Sequence, residues 1–481
     1  MEQKAKGFSI MRTSKLLFIS CVLGVFISSV YAADGIDYEF HGKMFQVFGS
    51  TNNSMSLAGK HKSGKTDFFS TNGQLNSKGF DTEDLEYLNT VGTTFGLSKA
   101  RLRFEAKTKD KLAKFVYGLE VGTINWGDQD KKFGLSGDGI TQETRFVYAE
   151  IKAPAQNNID HIIRAGLQPT KISNWVWSET AAGLTYHGKS TSCNWMIGWY
   201  RGDEDAKSNS SDNNYFVFKT AGPLTPELEL GLFMIYEHAG SETSGIPNPL
   251  TPANNLEYDR KNYYLGTSLT FDSSPFRGKF EFIYQGGDID FLAKDQNNNA
   301  QNLDDLERSA MLMNLDLSFQ VNKQLKLGFN SLYVSGDDNP TDLDAKNFDA
   351  IDVDVKVGMI LFKDSFISSC DRFVSDAPYL LDKGLIHHAL TANFKLNKKH
   401  SFFGAIRSLS LAKDVSDDND TKESSIGTEL DFKYAYKLNK YVKLRAEAAC
   451  LFPGGASDLM TADDKDADTI VNVASGIQFS F

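Results

Sequence analysis

Cysteine is scarce in this 481-residue chain, with four in all, at Cys21, Cys193, Cys370 and Cys450. They lie far apart and form no C-x-x-C or C-x-x-C-H pattern, which argues against a dense disulfide framework, a structural zinc site or covalently attached haem. Proline is rare too, at 11, and the 39 glycines follow no three-residue period, so a collagen-like repeat is excluded. Basic charge is in short supply. Lys and Arg number 51 against 62 Asp and Glu, a net charge of −11, which is the wrong sign for broad nucleic-acid binding. What the chain does have is 41% hydrophobic residues, enough to exclude wholesale disorder.

The first thirty-two residues read as a secretory signal peptide. Lys4, Lys6, Arg12 and Lys15 precede an apolar run from Leu16 to Val30, and Val30-Tyr31-Ala32 before Ala33 supplies a small-residue cleavage site. Cleavage after Ala32 leaves residues 33–481 as one exported domain, more acidic than the whole chain. Beyond Val30 no apolar stretch approaches the twenty or so residues of a membrane helix.

Strand alternation recurs instead. Ala100, Leu102, Phe104 and Ala106 share one face, with Arg101, Arg103, Glu105 and Lys107 on the other. Phe280, Phe282 and Tyr284 oppose Lys279, Glu281 and Gln285, while Met311, Met313, Leu315 and Leu317 oppose Asn314, Asp316 and Ser318. Leu430, Phe432 and Tyr434 oppose Glu429, Asp431 and Lys433.

A soluble sandwich alternates in the same way, so three further features decide for a membrane barrel. Tight connections alternate with long ones. Val321-Asn322-Lys323-Gln324-Leu325, Leu396-Asn397-Lys398-Lys399-His400 and Leu438-Asn439-Lys440-Tyr441-Val442 are near copies of one hairpin. Ser50 to Asn89, Gly287 to Glu307 and Gly336 to Lys383 are long and rich in Asn, Asp, Ser and Gly. Aromatics mark strand ends, as Trp126, Tyr200, Tyr236, Tyr284, Tyr333 and Tyr436 do, which suits interfacial girdles. Finally, Val471, Val473, Ile477, Phe479 and Phe481 share one face of the last strand, and a terminal aromatic in that setting resembles the signal read by the barrel-assembly machinery.

The expected fold is therefore an all-β transmembrane antiparallel barrel with short periplasmic turns and long extracellular loops. Strands are expected at 36–49, 93–107, 112–126, 142–152, 160–168, 183–189, 193–201, 214–221, 228–238, 259–271, 276–286, 309–321, 325–335, 385–396, 400–412, 425–438, 441–452 and 469–481. That makes about eighteen, with sixteen as the alternative and 349–365 as an extra strand or loop helix.

Short motifs resemble known channels. Tyr333-Val334-Ser335-Gly336-Asp337-Asp338-Asn339-Pro340-Thr341-Asp342, Glu429-Leu430-Asp431-Phe432 and Leu451-Phe452-Pro453-Gly454 resemble the alginate-export type of Gram-negative outer-membrane porin. Lys99-Ala100-Arg101-Leu102-Arg103-Phe104 and Arg164-Ala165-Gly166-Leu167-Gln168-Pro169 are similar to phosphate-selective-type porins. The resemblance implies an eighteen-stranded barrel in the outer membrane, a passive channel and a basic ladder in the lumen.

Strand phase places Lys43, Arg101, Arg103, Lys107, Arg164, Lys279, Lys326, Lys433, Lys443 and Arg445 inward as candidate pore-lining residues. Closure brings Lys43, Arg101, Arg103, Lys443 and Arg445 toward one basic wall. Glu39, Glu105, Glu229, Glu281, Asp431 and Glu447 share those inward faces and offset it. Lys171, Trp175 and Trp177, after the fifth strand, are candidates for a constriction loop, where Trp rings offer stacking surfaces to sugars. Acidic clusters such as Asp203-Glu204-Asp205, Asp304-Asp305, Asp337-Asp338, Asp417-Asp418-Asn419-Asp420 and Asp463-Asp464-Lys465-Asp466 read as solvated outer loops.

The functional expectation is a porin for small hydrophilic solutes or ions, with anion preference or sugar passage as its finer forms. The competing classes are a barrel that sheathes a partner such as an electron-transfer cytochrome, and a barrel enzyme. No G-x-S-x-G elbow and no Ser/His/Asp set points to catalysis, and neither a cofactor nor a metal is implied. Expected partners are membrane lipid and lipopolysaccharide, the assembly machinery through Phe481, and small solutes, with the protein a monomer or a trimer.

Overall fold

The computed structural model describes residues 35–54, 90–127, 142–156, 159–203, 212–248, 251–294, 300–302, 305–339, 342–361, 364–370, 378–416, 421–459 and 467–481. The leader and the clusters at 417–420 and 463–466 lie outside them. Eighteen strands form the wall. They are β1 (Ile36–Ser54), β2 (Thr90–Thr108), β3 (Ala113–Asn125), β4 (Gln142–Gln156), β5 (Ile159–Pro169), β6 (Thr180–Lys189), β7 (Asn194–Asp203), β8 (Asn213–Thr225) and β9 (Leu228–Asn248). The second half comprises β10 (Thr251–Ser273), β11 (Phe276–Lys294), β12 (Leu306–Gln320), β13 (Leu325–Val334), β14 (Leu385–Lys395), β15 (His400–Ser416), β16 (Lys422–Lys437), β17 (Val442–Pro453) and β18 (Ile470–Ser480). Each expected strand has its counterpart. Two short pieces, Ala300–Asn302 and Asp344–Ala345, add to the sheet without crossing the membrane.

Neighbours pair antiparallel around the wall, and β1 pairs with β18 from Lys43↔Ser480 to Thr51↔Asn472, so no edge is left open. The seam ends in two backbone bonds, Gly42 N–H to the Phe481 carbonyl and Phe481 N–H to the Gly42 carbonyl, both 3.0 Å. The Phe481 ring lies over Gly42, where any side chain would run into it, and meets Phe40 at 5.8 Å.

The apolar phase faces out on every well-patterned strand. Phe40, Leu184, Ile197, Phe216, Leu265, Phe280, Leu317, Leu390, Ile406 and Phe432 are all exposed, which in water would be a gross violation and in lipid is the rule. The tight turns close by one device: the Asn322, Asn397 and Asn439 side chains each accept two backbone N–H groups of their own hairpin, at 2.8–3.0 Å.

Three expectations need correction. Tyr200 is 1% exposed and points inward, so it belongs to no girdle. On the long-loop side β9 and β10 run well past their expected ends, to Asn248 and from Thr251, so that connection is short and the two strands themselves project. Residues 349–361 and 364–365 are neither a wall strand nor a helix. They run extended within the lumen, where Trp177 and Asp352 form an isolated parallel bridge.

Leu390, 64% exposed at the middle of β14 between Phe329 and Ile406, samples the lipid-facing phase directly. Leu390→Arg should lower the free energy of unfolding in vesicles by about 2–4 kcal/mol, the cost of a cation near the bilayer midplane. An unchanged urea midpoint would place that face out of lipid.

Candidate functional site

The interior is divided. The connections after β5 and β13 both enter the lumen and join there: Ile351 N–H and Asp352 N–H donate to the Val176 carbonyl, and Ser178 N–H donates to Asp352 at 2.9 Å. Val353, Val355 and Val357 alternate with exposed Asp354 and Lys356, so this stretch buries one face and shows the other. The buried face packs with Val176, Trp177, Tyr200, Tyr215, Ile235, Tyr264, Ile283, Leu312, Leu332, Leu409, Leu451 and Ile470 in one apolar cluster against β7 to β18. A second cluster seats Phe366, Ile367 and Cys370 on Phe45 and Val47 of β1 and Phe95 and Leu97 of β2.

Wall carboxylates hold the inserted backbone. Glu429 accepts N–H groups from Met359, Ile360 (3.0 Å) and Leu361 (3.1 Å), and Glu447 accepts the Phe366 N–H at 2.7 Å. Asp349 bonds the Tyr379 hydroxyl at 2.9 Å and lies 3.0 Å from Arg308. Lys433 pairs with Asp364 at 2.7 Å, while the Thr123 hydroxyl donates to the Cys370 carbonyl.

The arc from β2 to β6 has charges instead. Glu120 is the hub: it pairs with Lys99, with Arg101 at 2.5 Å and with Arg145 at 3.1 Å. Below it Arg103 meets Glu105 at 2.9 Å, and Lys107 bridges Glu39 and Glu105 at 2.7 and 3.0 Å. Along the arc Arg164 and Lys114 share Glu150 at 2.8 and 3.2 Å. Acids of the inserted segments face this wall. Burial, and after it the Asp354 and Asp352 carboxylates, push the Glu179 carboxyl up to about 7, with Arg145 and Arg101 pulling the other way.

The candidates from sequence separate accordingly. Lys43 stands opposite Arg101 in register, and Lys443 opposite Gln478, two residues from the Ser480 that faces Lys43. No ion-pair partner is described for Lys43 or Lys443. Arg445 leaves the expected wall, bonding Gln478 at 2.8 Å and covering the Phe366 ring, so it serves the inserted segment, as Lys433 does. Lys279 pairs with Glu281 at 2.8 Å. With Lys326 it lines a recess of about 310 Å³ at the turn end, together with Asp316, Asn330, Thr391 and Asn393.

Trp177, 3% exposed, packs on Tyr200 and Tyr215 at 5.0 and 4.7 Å, so its ring is filling and offers no open stacking surface. Trp175 donates its indole N–H to Glu281 at 3.2 Å, and the Lys171 carbonyl accepts Lys219. Asp337 is buried and accepts N–H groups from Asn339 and Lys346, so it shapes the loop instead of solvating it.

Sequence reasoning missed Glu120, Arg145 and Glu179. Glu120 follows from strand phase on β3, but Arg145 sits where the β3–β4 register slips by one residue, and there a period of two fails.

No family model matches the chain, and none of the curated proteins does. Among solved structures, OccAB4 of Acinetobacter baumannii shares 10% identity over 92% of this chain and 98% of its own, with a TM-score of 0.50. OpdL of Pseudomonas aeruginosa aligns over 92% and 99% at 8% identity and a TM-score of 0.49. The outer membrane channel DcaP of Acinetobacter baumannii aligns over 94% and 99% at 12% identity and a TM-score of 0.41.

Glu179 yields a pH test. Its raised pKa means the folded state prefers the neutral acid, so this contribution to stability is full below the ordinary value of 4.5 and falls away as pH rises through about 7. Between pH 5.5 and 8.5 the lumen gains a negative charge, so reversal potentials should drift toward cation preference, and Glu179→Gln should remove the drift. An identical drift in the variant would move the titration elsewhere. By its closed wall, its outward apolar belt and its likeness to OccAB4, the chain has the fold of the outer-membrane porins.

Proposed function

We propose that the protein is a passive diffusion channel in the outer membrane of a Gram-negative cell, reached by way of a cleaved leader at residues 1–32. Small hydrophilic solutes pass along the β1–β6 arc. The division of the lumen carries this reading: apolar inserted segments pack on β7–β18 and on Phe45, Val47, Phe95 and Leu97 of β1 and β2, while paired charges line β2–β5. Alternating Arg and Glu along that arc can replace part of a solute's hydration without trapping it. The likeness to OccAB4 supports a porin and says nothing of the solute.

Selectivity is a finer matter. Because Arg101, Arg103 and Arg164 each have an acid within 3 Å, the arc is mixed, and the bias of the lumen comes from cations with no ion-pair partner among the described residues, Lys43, Lys443 and Lys326. With Arg103 half exposed, these tilt the field toward anions. Among the remaining candidates, Lys107 stands at the turn end of the arc and Lys279 in the recess. The sheath alternative loses ground, because the chain's own segments occupy the apolar arc that a partner protein would need.

The test is a planar bilayer under a KCl gradient. The refolded protein should open in steps with a mildly anion-selective reversal potential, and the Lys43→Gln, Lys326→Gln, Lys443→Gln triple variant should lose that preference with its barrel intact. Unchanged selectivity would remove these residues from the pathway, and a folded but silent barrel would overturn the channel itself.

A further inference from the structure

Three consecutive tight turns carry a charge pattern that the channel reading does not use. Residues 320–326, 393–400 and 437–443 hold eight lysines, Lys323, Lys326, Lys395, Lys398, Lys399, Lys437, Lys440 and Lys443, and no acid, in a chain whose net charge is −11. The turns are physically side by side. Lys395 N–H donates to the Gln324 carbonyl and Lys437 N–H to the Lys399 carbonyl, both at 2.8 Å, and the Gln324 amide reaches the Leu396 carbonyl at 3.1 Å. At about 4.8 Å per strand they span roughly 25 Å of the rim.

Strand phase sorts the lysines into two rows. Lys326, Lys395, Lys437 and Lys443 fall on the inward phase, at the mouth of the lumen. Lys323, Lys398, Lys399 and Lys440 lie in the turns themselves, beyond Val321, Leu396 and Leu438, which end the outward apolar phase of their strands and are exposed. Lys440 lies 4.5 Å over the exposed Tyr441 ring, which orients that ammonium toward the outer side of the rim. None of the four forms an ion pair among the described residues. An apolar side chain at acyl depth followed at once by an unpaired ammonium, three times over, matches the cross-section of a lipid with an anionic headgroup.

We infer that this rim segment is a binding surface for anionic phospholipid in the leaflet that meets the tight turns, recognising the headgroup phosphodiester through Lys323, Lys398, Lys399 and Lys440. The inference rests on the membrane orientation adopted above, with the turns on the periplasmic side. A basic patch against an anionic leaflet is favoured by each lysine in turn and weakens with salt.

The experiment counts lipids kept by the folded protein. Detergent-solubilised barrel is offered phosphatidylglycerol and phosphatidylcholine of matched chains, and bound lipid is read by native mass spectrometry. Wild type should retain phosphatidylglycerol about fivefold or more over phosphatidylcholine, with the ratio falling as salt rises. The Lys323→Gln, Lys398→Gln, Lys399→Gln, Lys440→Gln variant should bring the ratio close to one, whereas Lys395→Gln with Lys437→Gln, on the luminal row, should leave it near wild type. Equal retention of both lipids by wild type, or an undiminished preference in the four-site variant, overturns the inference. Step conductance recorded on the same preparations shows separately whether the channel reading stands.

Discussion

The structure turns on two wall carboxylates that receive the backbone of an inserted loop. A chain segment inside a barrel is cut off from bulk water, and its N–H groups must be bonded within the protein. Glu429 takes three consecutive N–H groups at residues 359–361, and Glu447 takes that of Phe366. With those donors satisfied, Val353, Val355, Val357, Met359 and Ile360 can lie in an apolar cluster where a bare extended chain could not. The insertion in turn decides which part of the lumen is left to water.

That division explains why the inward charges differ from one arc to another. On β2 to β5 the inward face keeps a row of charges, with Arg101, Arg145 and Arg164 pairing with carboxylates across neighbouring strands and Arg103 with Glu105 on its own strand. On β15 and β16 the same kinds of residue face the inserted segment and are spent on it. Lys433 reaches Asp364 at 2.7 Å, and Arg407, paired with Asp431 of the neighbouring strand, lies 4.0 Å from the same carboxylate. A cation is a solute contact or a structural tie according to what lies opposite, and strand phase alone is blind to that.

The wall was legible because a barrel strand must show lipid on one side and water on the other, which writes a period of two into residues such as Phe280–Tyr284 and Leu430–Tyr434. The turns were legible because Asn322, Asn397 and Asn439 solve one local problem in one local way. The inserted segment was not. Residues 349–361 have valine alternation like a strand, but the partner of that apolar face is scattered over twelve strands, a set of contacts that no local pattern encodes. Tyr200, expected in a girdle, and Trp177, expected to offer an open ring to sugars, differ from expectation for the same reason: only the fold shows that these two rings pack on each other at 5.0 Å inside the barrel. Of the expected basic wall, Lys43 and Arg101 come together as strand register requires, while Arg445 turns to Phe366.

The most direct test of this account is the size of neutral polymer that enters the pore before and after residues 348–367 are replaced by a short Gly-Ser link. If the inserted segment sets the bore, the variant should stay a folded barrel, admit larger polyethylene glycols and conduct several times more current. A variant that folds with the native cutoff and the native conductance would contradict the account, because the aqueous path would then be bounded by something other than the segment that Glu429 and Glu447 hold.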